Sequence, residues 1–135
     1  MAELDELIDA VVESGIADVS FERSQQTLIA SLPGGRTQRV MIRTRGPDLR
    51  LVSVAAGTKA VPSDAKSKAA FVRRLWEINA HTDLVAFGID GRGRVTGTCT
   101  HPLATLDREE FEIYLLALVR ECDRLEWVIT GEDRW

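Results

Sequence analysis

The chain has 135 residues, of which 44% are hydrophobic and 28% charged, a composition typical of a soluble globular protein. We therefore expect residues 1–135 to form one domain. Asp and Glu outnumber Lys and Arg by 21 to 17, and the resulting net charge of −4 argues against a generally cationic nucleic-acid or membrane-surface protein. No apolar run approaches the roughly 20 residues that a bilayer-spanning helix requires, so we expect no membrane contact.

Two features of the sequence bear on its compartment. The cysteines, Cys99 and Cys122, are too few for a disulfide scaffold and indicate reduced thiols. Residues 1–6 carry acids where a secretory signal would carry a basic segment followed by an apolar one. We therefore expect a cytoplasmic protein.

The first predicted element is an amphipathic helix. Gly15 is expected to end it, because glycine readily adopts the left-handed backbone that closes a helix. Acidic residues would occupy its solvated side. Apolar positions recur at intervals of three and four residues and would form the core-facing stripe: Leu4, Leu7, Ile8, Val11 and Val12.

The next forty residues change to the alternating pattern that is typical of strands. Glycine- and proline-containing turns join them, and connections this short force neighbouring strands to be antiparallel. The predicted segments are a short lead-in at Val19–Phe21 and full strands at Thr27–Leu32, Thr37–Thr44 and Leu49–Ala55.

The second full strand is rich in arginine. The two-residue period places Arg39, Met41, Arg43 and Arg45 on one face. Residues 36–50 contain five arginines and one acid, a local charge of +4 that leaves −8 for the rest of the chain. Two interpretations stay open: a docking surface for an acidic partner or a phosphate backbone, or a solvent-facing sheet surface whose charge discourages edge pairing. No aromatic residue is interleaved to stack a base, which argues against nucleic acid as the partner.

A second helix is predicted from a cap at Ser63 or Asp64 to about Ala80. Its apolar side consists of Ala70, Phe71, Leu75 and Ile78. Trp76 lies at the flank of this side, where a tryptophan can either join the core or face a partner.

A hairpin and a third helix complete the predicted order. Asp90-Gly91-Arg92-Gly93 is an aspartate–glycine turn between extended segments at Leu84–Ile89 and Arg94–Thr100. Asp107 and Glu110 have the spacing of a reciprocal helix cap. The helix that follows is apolar on more than one side, so it needs two packing partners, and one of them could be a second copy of the chain. We predict a homodimer whose interface includes Tyr114, Leu118 and Trp127.

Reactive side chains are few in this sequence. Cys99 and His101 share a face of the last predicted strand, where they could form a thiolate–imidazole pair or half of a metal site. A nucleophile needs an orienting group and a metal needs further ligands, but His81 is the one other histidine. We therefore interpret Cys99 as a structural cysteine, and we predict no catalytic, cofactor-binding or metal-binding residue.

The predicted fold class is α+β, with three helices packed on a five-stranded antiparallel sheet in the order α-β-β-β-α-β-β-α. At this point the sequence resembles the bacterial YbjN-like family, whose fold is similar to that of type III secretion chaperones. The resemblance covers about half of the chain by motif, within residues 71–129. Its motifs lie at Leu75–Asn79, Leu84–Val95 and Leu103–Phe111.

The resemblance implies a binding role. Chaperones of that fold are small acidic homodimers that hold an extended segment of a client, and the YbjN-like family has no agreed catalytic residues. We therefore expect a non-enzymatic, dimeric protein-binding module, chaperone- or adaptor-like, that takes the segment by strand addition or along an apolar groove. The alternative is a regulatory protein that binds an anionic partner, either a phosphorylated protein or nucleic acid, through the arginine-rich face. The predicted partner-binding residues are Arg39, Arg43, Arg45 and Trp76.

Overall fold

The structure is a computed structural model and describes residues 2–130. Within that range it has three helices and one antiparallel sheet, which makes the fold α+β. The strands lie in the order β1-β2-β3-β4-β6-β5 across the sheet. The elements are α1 (Ala2–Ser14), β1 (Ser20–Ser24), β2 (Thr27–Ser31), β3 (Thr37–Arg45), β4 (Asp48–Ala56), α2 (Ala65–Asn79), β5 (Ala86–Ile89), β6 (Val95–Pro102) and α3 (Arg108–Thr130).

The sheet has six strands, so the prediction of five was wrong. The segment taken for a short lead-in, Val19–Phe21, runs into β1, which pairs with β2 along its whole length. The turn between them is Gln25-Gln26, and Gln25 adopts a φ of 55°. Gly, Asn and Asp are the usual residues in that left-handed conformation, so the sequence carries no turn signal for this hairpin.

The helices are distributed unequally over the sheet. α1 packs on β1, and α3 packs across β3, β4 and β6, so that one face is covered. α2 contacts β5 at the edge of the sheet. Leu75 is the one buried residue of α2, whereas α3 buries a continuous series of apolar side chains. Within residues 2–130, no helix packs across the opposite face, which we call the open face.

α3 approaches the sheet closely at Gly97, in β6. A Cβ atom at this position would lie 2.5 Å from Cys122 Sγ and 3.2 Å from Leu118 Cδ1. Both of those side chains are fully buried. The absence of a side chain at residue 97 therefore sets the distance between α3 and the sheet.

Three local predictions are confirmed. Gly15, at a φ of 67°, follows the last residue of α1. Asp90 closes the β5–β6 hairpin, since its N–H donates to Arg94 O at 2.9 Å and its carboxylate accepts from the Arg94 N–H. The cap of α3 is reciprocal: Glu110 N–H donates to Asp107 Oδ1 at 2.8 Å, and Asp107 N–H donates to Glu110 Oε1 at 3.4 Å.

Candidate functional site

The open face carries the arginine-rich side of β3, as the alternation of the sequence predicts. Val40 and Ile42 are buried beneath α3, and Arg39, Arg43 and Arg45 are exposed on the other side. The strand register then adds residues from its neighbours. Arg43 lies directly opposite Arg50 of β4, and the next pair along the same face is Met41 opposite Val52.

These side chains line a basin of about 380 Å³ on the open face. Its floor is apolar at Met41 and Val52, and threonines of β6 form one side. The basin is strongly basic, because four arginines line it and its one carboxylate is that of Asp90. The lining arginines are Arg43, Arg45, Arg50 and Arg94. We call this site the arginine basin.

The charges of the arginine basin are unequally compensated. Arg94 is neutralised locally, because its guanidinium contacts the Asp90 carboxylate at 2.8 Å. Hydrogen bonds from the backbone and side chain of Arg94 hold the pKa of Asp90 below its ordinary value despite partial burial. Arg43 and Arg50, in contrast, have no carboxylate within ion-pair distance among residues 2–130. The Nε of Arg50 is buried and finds no hydrogen-bond acceptor in the described part of the chain.

The structure brings together only some of the arginines in the basic stretch. Arg43 and Arg45 line the basin, but Arg39 does not. Arg39 lies opposite Ile29 of the neighbouring strand β2. Arg36 precedes β3 and turns to the covered side, where its Nε donates to both carboxylate oxygens of Asp123 at 3.0–3.1 Å. Arg50 and Arg94 were not predicted as site residues. Their positions depend on the register of β4 and β6 relative to β3, which alternation within a single strand does not reveal.

The two edges of the sheet differ in their free backbone groups. At the β1 edge, a two-residue loop closes the β1–β2 hairpin, so the closing pair, Ser24 and Thr27, must be hydrogen-bonded to each other. Bonded and non-bonded pairs alternate along an antiparallel ladder. The N–H and C=O groups of Phe21 and Arg23 therefore point outward, and in the described part of the chain no group bonds to them.

The β5 edge is capped instead. The Asn79 side chain acts as a substitute strand: its Nδ2 donates to Phe87 O at 2.8 Å and its Oδ1 accepts from Phe87 N–H at 2.7 Å. Beside it, the Thr82 hydroxyl donates to Val85 O at 2.7 Å. Asn79 thus satisfies at Phe87 the same kind of outward groups that stay free on β1.

The outer side of α2 is an exposed apolar surface. Trp76 is 71% exposed and Val72 is 46% exposed, one helical turn away. Trp76, for which two interpretations were open, therefore lies outside the core of this chain. A groove of about 240 Å³ lies between α2 and the end of α3, and its lining includes Phe71 and Val128.

The three residues predicted for a dimer interface lie in different environments. Trp127 is 59% exposed near the end of α3. Tyr114 is half-buried and its ring lies 5.1 Å from that of His101. Leu118 is fully buried against the sheet near Gly97, so it is not available at a surface of this fold.

Cys99 and His101 have separate partners. The Cys99 thiol is buried and contacts the Tyr114 carbonyl at 3.7 Å, and burial raises its pKa to about 12. Burial likewise raises the pKa of Cys122. His101 bridges β6 and α3, with Nε2 3.0 Å from Glu110 Oε2 and Nδ1 2.8 Å from Pro102 O. Neither thiol therefore has the lowered pKa of an activated nucleophile.

Residues 2–130 contain no group of three or more His, Cys, Asp or Glu side chains placed to hold a metal ion. None of the helices in this range is both long and apolar enough to cross a bilayer.

Comparison of this fold with solved structures gives clear matches. A chain of the ExsC–ExsE complex is similar over 95% of this chain and 94% of its own length, with a TM-score of 0.57 and 16% identity. A chain of the heterodimeric ExoU–SpcU complex from the type III secretion system of Pseudomonas aeruginosa is similar over 98% of this chain and 100% of its own, with a TM-score of 0.58 and 12% identity. This chain therefore shares its fold with these two chains, the second of which belongs to a type III secretion complex.

The comparisons confirm the coarser part of the sequence resemblance. At 12–16% identity the similarity concerns the fold alone. No protein-family model matches the sequence, and no curated protein is significantly similar to it. The resemblance to the YbjN-like family is therefore not confirmed, whereas the expected similarity in fold to a protein of a type III secretion complex is.

Proposed function

We propose that this protein is a non-enzymatic binding module that holds an extended segment of a partner protein by strand addition at β1. The observation that carries the proposal is the outward-pointing backbone of Phe21 and Arg23. An extended segment placed alongside would bond to these groups and continue the sheet. The similar chains of known structure were solved in complex with another protein, which supports a binding role.

The β1 edge suits strand addition better than the β5 edge does. Asn79 already occupies the bonding groups of Phe87, so a segment at β5 would have to displace it. On β1, Ser20, Glu22 and Ser24 are exposed, whereas Phe21 is anchored in the core. The side chain of Phe21 thus anchors β1 in the core, while the backbone N–H and C=O groups of Phe21 and Arg23 point away from the sheet.

The test compares two substitutions at one residue. Arg23→Pro removes the outward N–H, and proline is tolerated on an edge strand when its nitrogen faces away from the ladder. Arg23→Ala keeps that N–H but removes the same side-chain contacts, to Asp5 at 2.9 Å and to Asp9 at 3.5 Å. The tagged protein and both variants are used to capture partners from the native cell, and the bound proteins are compared by quantitative mass spectrometry.

We expect the wild type and Arg23→Ala to retain the same partner and Arg23→Pro to lose most of it. Circular dichroism and thermal melting establish that the proline variant is folded. Equal retention of the partner by the folded proline and alanine variants would contradict strand addition at β1.

We propose further that the protein forms a homodimer through the outer side of α2. This helix exposes Val72 and Trp76 while burying only Leu75, so its own chain gives it little packing. A second copy would remove a large aromatic surface from water, and indole side chains are enriched in such interfaces. Trp127, exposed near the end of α3, remains a candidate for the margin of the same interface.

Three other assignments complete the proposal. A binding role without catalysis agrees with the raised pKa of Cys99 and with the separate partners of Cys99 and His101. Two free buried cysteines fit a reducing compartment, so we place the protein in the cytoplasm. Membership of the YbjN-like family rests on the sequence motifs alone.

A further inference from the structure

The arginine basin contains two like charges in a position that costs stability. Arg43 and Arg50 face each other directly across β3 and β4. Like charges in directly opposed positions of an antiparallel pair are destabilising. Neither guanidinium has a carboxylate partner in the described range, and the buried Nε of Arg50 has no acceptor. An anionic group placed between the two arginines would offset the repulsion between their charges.

The floor of the basin indicates what kind of anion would fit. Met41 and Val52 form an apolar pair in the row next to Arg43 and Arg50. Adjacent rows on one face of a sheet lie roughly 6.6–7 Å apart, the same distance that separates side chains i and i+2 of an extended peptide. An extended segment could therefore place an apolar side chain over the floor and an acidic one between the arginines.

Other anions match the basin less well. A nucleic acid would bring bases, and none of the residues from 2 to 130 that line the basin is aromatic, so none can stack with them. Its phosphates would also approach a molecule with a net charge of −4, which opposes long-range attraction of a polyanion. A protein segment with few charges avoids both disadvantages.

We infer that the arginine basin binds an extended acidic segment of a partner protein with the pattern acid-x-apolar-x-acid. One carboxylate lies between Arg43 and Arg50, and the apolar side chain covers Met41 and Val52. The second carboxylate pairs with Arg39, which lies one row beyond Met41, outside the basin. Along β3 the facing residues are Arg39, Met41, Arg43 and Arg45, and the pattern is complementary to the first three of them. Arginine is suited to this role because its planar fork can bond both oxygens of a carboxylate. The basin lies on the open face, so this inference does not depend on strand addition at β1.

The probe is a fluorescent peptide that contains Glu-Ser-Leu-Ser-Glu, and its binding is measured by anisotropy. A control peptide containing Ser-Glu-Leu-Glu-Ser has the same composition, but its leucine and its acids point to opposite sides when the chain is extended. A single-stranded DNA of similar length is the third probe. We expect only the first peptide to bind well, and we expect its binding to weaken as salt is raised.

Two double variants with the same loss of charge locate the site. Arg43→Gln with Arg50→Gln changes the basin, and Arg108→Gln with Arg124→Gln changes two exposed arginines of α3 that pair with Glu112 and Glu121. We expect the first double variant to bind the peptide about tenfold more weakly, equivalent to about 1.4 kcal/mol, and the second to bind within about twofold of the wild type. Arg23→Pro should leave this binding unchanged.

Three results would overturn the inference. One is no binding of the first peptide by the wild type at concentrations up to about 1 mM, the weak limit for a specific contact. Another is an equal loss of peptide affinity in the two double variants, which would show that binding depends on the net charge of the protein and not on the basin. The third is tighter, basin-dependent binding of the DNA, which would assign the site to nucleic acid. Circular dichroism of each variant establishes that it is folded.

Discussion

Gly97 shows at the scale of one residue how α3 is seated on the sheet. The glycine is in a strand, where it ordinarily weakens the structure, but a Cβ atom here would overlap Cys122 Sγ at 2.5 Å. Nothing in the sequence around residue 97 indicates this contact, because Cys122 is 25 positions away. A glycine in a predicted strand shows only that something comes close, not what.

We predict that Gly97→Ala lowers the free energy of unfolding by about 1–3 kcal/mol, because the added methyl group must displace α3 or its own strand. Gly88→Ala is the matched control: Gly88 is also in a strand, opposite Thr96, and a Cβ atom there meets nothing within 4 Å. Urea denaturation of both variants measures the difference. Equal stability of the two variants would show that α3 is not seated on Gly97 as described.

Sequence alternation was sufficient to place individual arginines on a face but not to find their neighbours. Arg39, Arg43 and Arg45 were predicted on one side of a strand, and β3 shows that pattern. The opposition of Arg43 and Arg50 depends on the register of β3 and β4, which the length of the loop between them sets and which alternation within β3 alone does not give. The candidate site was therefore predicted in part, and its most informative pair was not.

At the scale of the elements, local signals predicted well where special residues mark the boundaries. The hairpin at Asp90 and the cap at Asp107 have such residues, and both formed as expected. β1 has no such residue, since its turn to β2 is Gln25-Gln26, and the sequence therefore predicted only a short lead-in there. The pairing of β1 with β2 is decided by the burial of Phe21 in the core rather than by turn chemistry.

The first turn of α2 is stabilised by a side-chain cap at Asp64. The Ser67 N–H donates to the Asp64 carboxylate at 2.9 Å, and this bond holds the pKa of Asp64 below its ordinary value. A lowered pKa in the folded state means that the stabilisation is present above the unfolded value, about 4, and is lost as the pH falls through the folded value. Because α2 buries only Leu75, packing of the helix in the core does not compensate for the stabilisation that is lost with the cap.

We therefore predict that the first turn of α2 unwinds on acidification below about pH 4, with a midpoint below the ordinary Asp value. The Cα chemical shifts of residues 65–69 measure the helicity of this turn. Asp64→Asn is the control, since asparagine caps a helix comparably but does not titrate. Acid-induced unwinding of the same extent in the asparagine variant would assign the effect to another group.

At the scale of the whole molecule, packing is asymmetric. β4 lies in the middle of the sheet beneath α3, whereas α2 stands at the edge with Val72 and Trp76 exposed. Periodicity predicted the three helices but not this difference, because a helix that awaits a second copy has the same apolar pattern as one that packs within its own chain. Leu118 was predicted at a dimer interface on this apolar pattern, and its side chain is fully buried within the chain.

We predict that sedimentation velocity at tens of micromolar shows a dimer for the wild type and a monomer for Trp76→Glu, because a charge cannot be buried in an apolar interface without a partner. Ile113→Glu, at a residue 49% exposed on the first half of α3, should remain dimeric. A monomeric wild type, or a dimeric Trp76→Glu, would contradict an interface on α2.

The capped edge at Asn79 also limits how the sheet can grow. With β5 closed by a side chain and β1 open, each chain can accept one additional strand, on one side only. Open filaments form when one edge of each sheet pairs with the opposite edge of the next, which requires both edges to be free. The cap on β5 therefore opposes this kind of polymerisation. For the strand addition that we propose, the expected stoichiometry is therefore one segment per chain, because the side chain of Asn79 occupies the second edge.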